Sequence, residues 1–204
     1  MGYGVVSGLR ASGSSTTVAG ACSGESGNLS KSASSRDRVL VAYDKESYAL
    51  VSSTVIDLDD LSSLPRNSRR FKRNNVAVAA CLKHSHTKEL FVVASVHLYW
   101  NPASEDVKLL QSKYISLRLS QFAASVKEPG EELPPPIIVC GDFNSLPKSD
   151  GGVYDFWTLG SADATKVRSR IWDFYSMPEL EDEVRGGDDS ERGRRGRGLA
   201  HRLV

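Results

Sequence analysis

Two stretches in the middle of the chain, Val76-Ala77-Val78-Ala79-Ala80-Cys81-Leu82 and Leu90-Phe91-Val92-Val93-Ala94-Ser95-Val96-His97-Leu98, are apolar almost residue for residue. A strand wet on one face alternates apolar and polar side chains; a strand covered on both faces does not. The two runs therefore predict a sheet with material packed against each side. A shorter run, Ile137-Ile138-Val139, follows Pro134-Pro135-Pro136 and stops at Gly141, which reads as a third buried strand. At 204 residues, with 40% hydrophobic and 25% charged side chains, the chain is large enough to build one such layered domain around a real core.

Around this centre the pattern is uneven. Residues 11 to 37 are rich in Ser, Gly, Ala and Thr with almost nothing large and apolar, so a flexible segment is expected there and order is expected from Arg38 onward. Val39 to Tyr43 and Tyr48 to Ile56, separated by Asp44-Lys45-Glu46, read as a β-hairpin. Leu58 to Leu64 reads as an irregular or short helical piece. Ser104-Glu105-Asp106 opens the clearest helix, with Ser104 as N-cap and two acids where the helix dipole favours them. Val107, Leu110, Tyr114 and Leu117 recur at helical spacing, and the helix should end before Pro129-Gly130. A short helix is expected from Val153 to Leu159, stopped by Gly160. Beyond Pro178 the chain is acidic and then Gly/Arg/Asp-rich, the composition of an unstructured tail. The division expected is 1–37, a partly disordered Ser/Gly-rich segment; 38–177, a folded domain; and 178–204, a tail.

Several function classes lose support at this point. The net charge of +1 announces no global field for nucleic acid. No apolar run reaches membrane-spanning length, the first residues lack a signal-peptide pattern, and Val6 breaks the myristoylation pattern after Met1-Gly2. The three cysteines, Cys22, Cys81 and Cys140, are widely spaced and odd in number, which suits reduced thiols inside a cell. A cytoplasmic location is the expectation, with nucleus and mitochondrion open.

The chemistry is concentrated at Cys140-Gly141-Asp142-Phe143-Asn144-Ser145-Leu146. A strand ending in Gly-Asp-x-Asn-Ser places a carboxylate and a carboxamide two residues apart at the edge of a sheet. A carboxylate there suits a hard cation or an attacking water, and the amide beside it can orient that water; taken alone, the pair also suits a simple turn. His97 closes the preceding apolar run and could equally be a satisfied core histidine. Tyr99 and Trp100 read first as packing residues. Lys108 and Gln111, on the first turns of the helix, divide evenly between structural roles and phosphate contact. His84-Ser85-His86 fits a turn better than a metal pair. Arg66, Arg69, Arg70, Lys72 and Arg73 form a basic cluster, either a solvated face or an RNA contact.

Three segments taken together resemble the deadenylase branch of the exonuclease–endonuclease–phosphatase superfamily: Arg73-Asn74-Asn75-Val76-Ala77; His97-Leu98-Tyr99-Trp100-Asn101-Pro102 running into Asp106-Val107-Lys108-Leu109-Leu110-Gln111; and Gly141-Asp142-Phe143-Asn144-Ser145. Gly2-Tyr3-Gly4-Val5 is similar to a segment that precedes the first hairpin of that branch. The resemblance implies an α+β fold, a two-layered, DNase I-like β-sandwich flanked by helices, here incomplete. It implies a phosphodiesterase using Mg²⁺, with Mn²⁺ as the alternative, on poly(A)-like RNA. By the same resemblance Asp142 would hold metal and activate water, Asn144 would orient the water, and His97 would contact the scissile phosphate. Pro102, Trp100 and Lys108 would be the substrate-binding residues. The metal-binding Gln-Glu and the terminal Ser-Asp-His of that branch have no counterpart in this sequence. The expectation is therefore a truncated or degenerate member, not competent as an enzyme alone. The alternatives are a non-catalytic RNA- or protein-binding remnant, and a hydrolase acting on 2′,5′-oligoadenylate, a dinucleotide or a phospholipid.

Overall fold

The computed structural model describes residues 2–10, 16–18, 39–64, 69–146, 152–160, 162–163 and 202–203. Most of the segment expected to be flexible and most of the expected tail lie outside these residues. Strand β1 (Tyr3–Arg10) pairs antiparallel with β2 (Thr16–Val18) on one side and with β3 (Val39–Asp44) on the other, giving a three-stranded sheet. Order thus does not begin at Arg38: Tyr3–Arg10 is a strand, and Val6 on it is fully buried. Gly4 sits opposite Tyr43, and a Cβ on Gly4 would lie 2.1 Å from the Tyr43 ring, so the glycine makes room for an aromatic cover.

The second sheet has the order β4-β5-β6-β7, from Tyr48–Asp57, Val76–His84, Leu90–His97 and Ile137–Asp142. The expected hairpin of β3 and β4 does not form. Strand β3 takes β1 as its partner and β4 takes β5, so the turn between them carries the chain from one sheet to the other. Alternation separated by a turn cannot by itself tell a hairpin from such an arch. Asp44 closes the turn by accepting from Ser47 Oγ (2.7 Å) and the Glu46 N–H (3.0 Å), and these bonds, Ser47's first, hold its carboxyl below the usual range.

The uninterrupted apolarity of β5 has the predicted cause. Val76, Val78, Ala80 and Leu82 face the first sheet and pack with Val6, Val39 and Val41. Ala77, Ala79 and Cys81 face the other way, into a core shared with Leu58, Leu61, Phe71, Val107, Leu110, Ile115 and Leu119. That second core is closed by a 3₁₀ turn (Leu58–Ser63), a shorter one (Arg69–Phe71) and α1 (Glu105–Ser125). The result is an α+β sandwich with helices outside. Val107, Leu110 and Tyr114 are buried as expected, but Leu117 is only half-buried; the stripe runs instead through Ile115, Leu119 and Ala123 at four-residue steps. Ser104 is the N-cap by position, yet its side chain makes no capping bond. Helix α2 (Val153–Leu159) ends at Gly160 in the left-handed conformation, as predicted. A small two-stranded sheet, β8 (Ala162–Asp163) with β9 (Arg202–Leu203), completes the described elements.

Strand β7 is the exception to the buried-strand reading. Among the described residues it is an edge strand, paired with β6 alone, with Ile138 49% exposed. Three apolar residues in a row report hydrophobicity but not position within a sheet.

Candidate functional site

Strands β6 and β7 are parallel, which requires a crossover connection, and α1 supplies it. The register sets His97 directly beside Asp142. Two motifs far apart in sequence therefore meet at one end of the sheet. His97 Nε2 and Asp142 Oδ2 are 4.0 Å apart, an ion-pair distance rather than a hydrogen bond, with Asp142 66% exposed. Pairing continues one residue further, the Leu98 N–H donating to Asp142 O at 3.0 Å.

Gly141 makes this approach possible. Its φ is +137°, and a Cβ there would stand 2.0 Å from Val96 O on the neighbouring strand. Past Asp142 the chain turns sharply through Asn144, which is left-handed at φ +47°. The turn is held by the Asn144 N–H donating to Asp142 Oδ1 (2.8 Å) and by Asn144 Nδ2 donating to Leu98 O (2.8 Å). Asparagine tolerates this conformation better than most residues because its short amide can bond locally. One Nδ2 hydrogen is used on Leu98; the amide carries a second, and an acceptor oxygen. The Asp-x-Asn pair is thus a turn and a strand-end polar pair at once.

Lys108, expected at the substrate, is 1% exposed. Its Nζ donates to Asn144 O at 2.8 Å and contacts Glu105 Oε1. That placement corrects the substrate-contact reading: the side chain faces the protein, because the first turns of α1 are themselves enclosed. Gln111 resolves the same way, fully buried between the Tyr99 N–H, which it accepts at 2.9 Å, and Asn75 Oδ1 at 3.2 Å. Trp100 and Pro102 lie on the turn after β6 and are exposed, Trp100 by 65%. Tyr99 packs against the core while Trp100, its ring 5.8 Å from that of Tyr99, stays mostly in solvent, a difference that side-chain type alone could not show.

No protein-family model matches the chain. Sequence relatives are nonetheless consistent. The chain is 29% identical over 166 residues to the CCR4-Not complex 3′-5′-exoribonuclease subunit Ccr4 of Yarrowia lipolytica, covering 68% of this chain and 23% of that protein. It is 37% identical over 99 residues to carbon catabolite repressor protein 4 homolog 4 of Arabidopsis thaliana, covering 48% and 23%. The chain is thus similar in sequence to Ccr4-type proteins, in line with the likeness read from its motifs. Its fold agrees: the crystal structure of ANGEL2, a 2′,3′-cyclic phosphatase, matches with a TM-score of 0.50 at 25% identity, over 76% of this chain and 38% of that one. The chain spans less than a quarter of the length of these two curated relatives.

Against the deadenylase pattern, the metal is the least satisfied component. Among the described residues no group of three or more His, Cys, Asp or Glu side chains converges as a metal site would. Glu105 Oε2 is buried without a hydrogen-bond partner, but the Lys108 ammonium already stands against the same carboxylate and opposes a second cation. Asp142 is an exposed strand-end carboxylate, and the described residues do not by themselves make a metal centre. His84 belongs to its turn, its Nδ1 accepting the Thr87 N–H at 3.1 Å.

The basic cluster divides. Arg66 lies outside the described residues. Arg70 forms a two-pronged pair with buried Asp106, both bonds 2.8 Å, so that acid answers a guanidinium as well as the helix dipole. Arg73 stacks on Tyr99, 4.6 Å from the ring centre. Arg69 and Lys72 face outward. Sequence reading missed Asp59, which is buried and accepts from the N–H groups of Arg73 (2.7 Å) and Asn74 (2.8 Å), fixing the loop into β5. An Asp in the first turn of a short helical piece was its only signal.

Proposed function

We propose that the chain acts on phosphodiester linkages of RNA at the cluster of His97, Asp142 and Asn144, as a 3′-end exoribonuclease preferring adenylate-rich strands. The observation that carries this reading is the parallel register of His97 with Asp142, which joins the two motifs shared with the deadenylase branch. Phosphoryl transfer leaves a protein little covalent work; it asks for a positioned water and neutralised charge. Asp142, largely exposed, is placed to take a proton from water. His97 can donate to a phosphate oxygen, and the uncommitted part of the Asn144 amide can hold the water in line. Trp100, exposed beside them, suits base stacking.

Nucleases of this superfamily depend on a divalent metal; Mg²⁺ is our reading of which one. With no group of three metal-ligating side chains among the described residues, weak affinity is expected, because Mg²⁺ keeps most of its waters. A second reading, RNA binding without turnover, rests on that same scarcity of metal ligands. A third, opening of a 2′,3′-cyclic phosphate, rests on the ANGEL2 likeness. One assay separates them: a 5′-labelled oligoadenylate, with a free or a 2′,3′-cyclic 3′ end, incubated with the chain and Mg²⁺. Stepwise 3′ shortening, lost in Asp142→Ala, supports the proposal. Binding without shortening sinks it in favour of the second reading, and loss of the cyclic end alone favours the third.

A further inference from the structure

The Asp-Val-Lys-Leu-x-Gln stretch that helped to place the family is not at the surface. Asp106, Lys108 and Gln111 are 4%, 1% and 0% exposed. Each reaches a different loop from the same two turns of α1. Asp106 takes Arg70, beside the entry to β5. Gln111 takes the Tyr99 N–H, just past His97, and Asn75. Lys108 takes the carbonyl of Asn144.

The Lys108 contact has no ordinary structural motive. Burying an ammonium is costly unless it is paired and hydrogen-bonded, and a core position on α1 would accept Leu or Met at lower cost. Glu105 supplies the counter-charge, with its second oxygen buried and without a hydrogen-bond partner among the described residues, so a further cost is carried at the same place. What the pair secures is the left-handed Asn144, whose N–H in turn orients the Asp142 carboxylate. Left-handed backbone at a non-glycine persists only where its surroundings over-determine it.

We infer that Lys108, with Glu105, is a positioning residue for the Asp142–Asn144 turn and does not touch substrate. This deepens the phosphodiesterase reading, but the geometry can be tested without turnover. The measurement is amide hydrogen exchange by NMR on the full chain, wild type against Lys108→Met, with the core amides of Ala79 and Ala94 as internal reference. Exchange at the Asn144 N–H should rise about tenfold while the reference amides stay within about twofold. Lys108→Arg, which keeps the charge and a donor, should restore protection to within about threefold of wild type. If Lys108→Met does not fold, the double variant Glu105→Gln/Lys108→Met leaves no charge buried alone and is read in the same way. Unchanged exchange at Asn144, or a uniform rise that includes Ala79 and Ala94, overturns the inference. In the shortening assay, Lys108→Met should lower kcat about tenfold or more with KM within about threefold, whereas a substrate contact would raise KM. If the wild type shows no shortening while the exchange pattern holds, the functional reading fails and the positioning role stands.

Discussion

Strands β5 and β7 look alike as strings of letters and differ in almost everything else. Val76 to Leu82 is sealed on both faces, every residue buried. Ile137 to Asp142 lies at the sheet edge, exposed along nearly its whole length. The first holds the two cores together. The second presents backbone and side chains to solvent, carries Gly141 at φ +137° just before its last residue, Asp142, and runs on into Asn144 at φ +47°. Regular geometry and burial go with stability, while irregular geometry and exposure gather where ligands can reach. Edge strands with free backbone groups are ordinarily guarded; here the edge carries the Gly-Asp-x-Asn turn.

The contrast can be tested from its strongest point downward. Gly141→Ala should be the most damaging single change at the edge, since Cβ would meet Val96 O at 2.0 Å. We expect a loss of about 4 kcal/mol or more, read by denaturant unfolding or by failure to fold. An alanine tolerated there would mean that β6 and β7 do not pair as described. Arg70→Ala comes next. It removes the guanidinium held in two bonds by the buried Asp106 carboxylate, 5% exposed, and should cost about 3 kcal/mol; a cost near zero would show that the pair adds nothing to stability. The third test sets the strands against each other. Val78→Ala in β5 should cost about 2 kcal/mol and Ile138→Ala in β7 under about 1 kcal/mol, because only the first opens a cavity. Equal costs would mean that β7 is covered in solution.

The smallest effect is at high pH. Burial, with Asp60 nearby, pushes the Tyr114 hydroxyl up to about 12. The folded state therefore keeps a proton that the unfolded chain releases near pH 10. The stability associated with it is complete below pH 10 and is lost as pH climbs through 12. Wild type should lose about 1 kcal/mol more than Tyr114→Phe between pH 9 and about 12. Parallel pH curves would place Tyr114 in water.

What could be read in advance follows the same division. The sealing of β5, the start of α1 and the extent of α2 were legible because periodicity and glycine or proline punctuation report local structure directly. The edge position of β7 and the arch between β3 and β4 were not, because pairing partners are set by distant strands. At the site, the strand-end place of Asp142 and the loop positions of Trp100 and Pro102 were readable from the motif. The inward turn of Lys108, Gln111 and Arg70 was not, since a charged residue on a helix gives no sign of which loop will close over it. Segments 11–15, 19–38 and 164–201 lie outside the described residues.

The central claim is that β6 and β7 bring His97 and Asp142 together as one working unit. It is tested most directly by a double-mutant comparison in the oligoadenylate shortening assay. The account predicts that His97→Ala and Asp142→Ala each abolish most of the rate, about a hundredfold or more, and that the double variant is no slower than the worse single one. Losses that multiply, a single variant that shortens RNA as wild type does, or a wild type that shortens none, would contradict it.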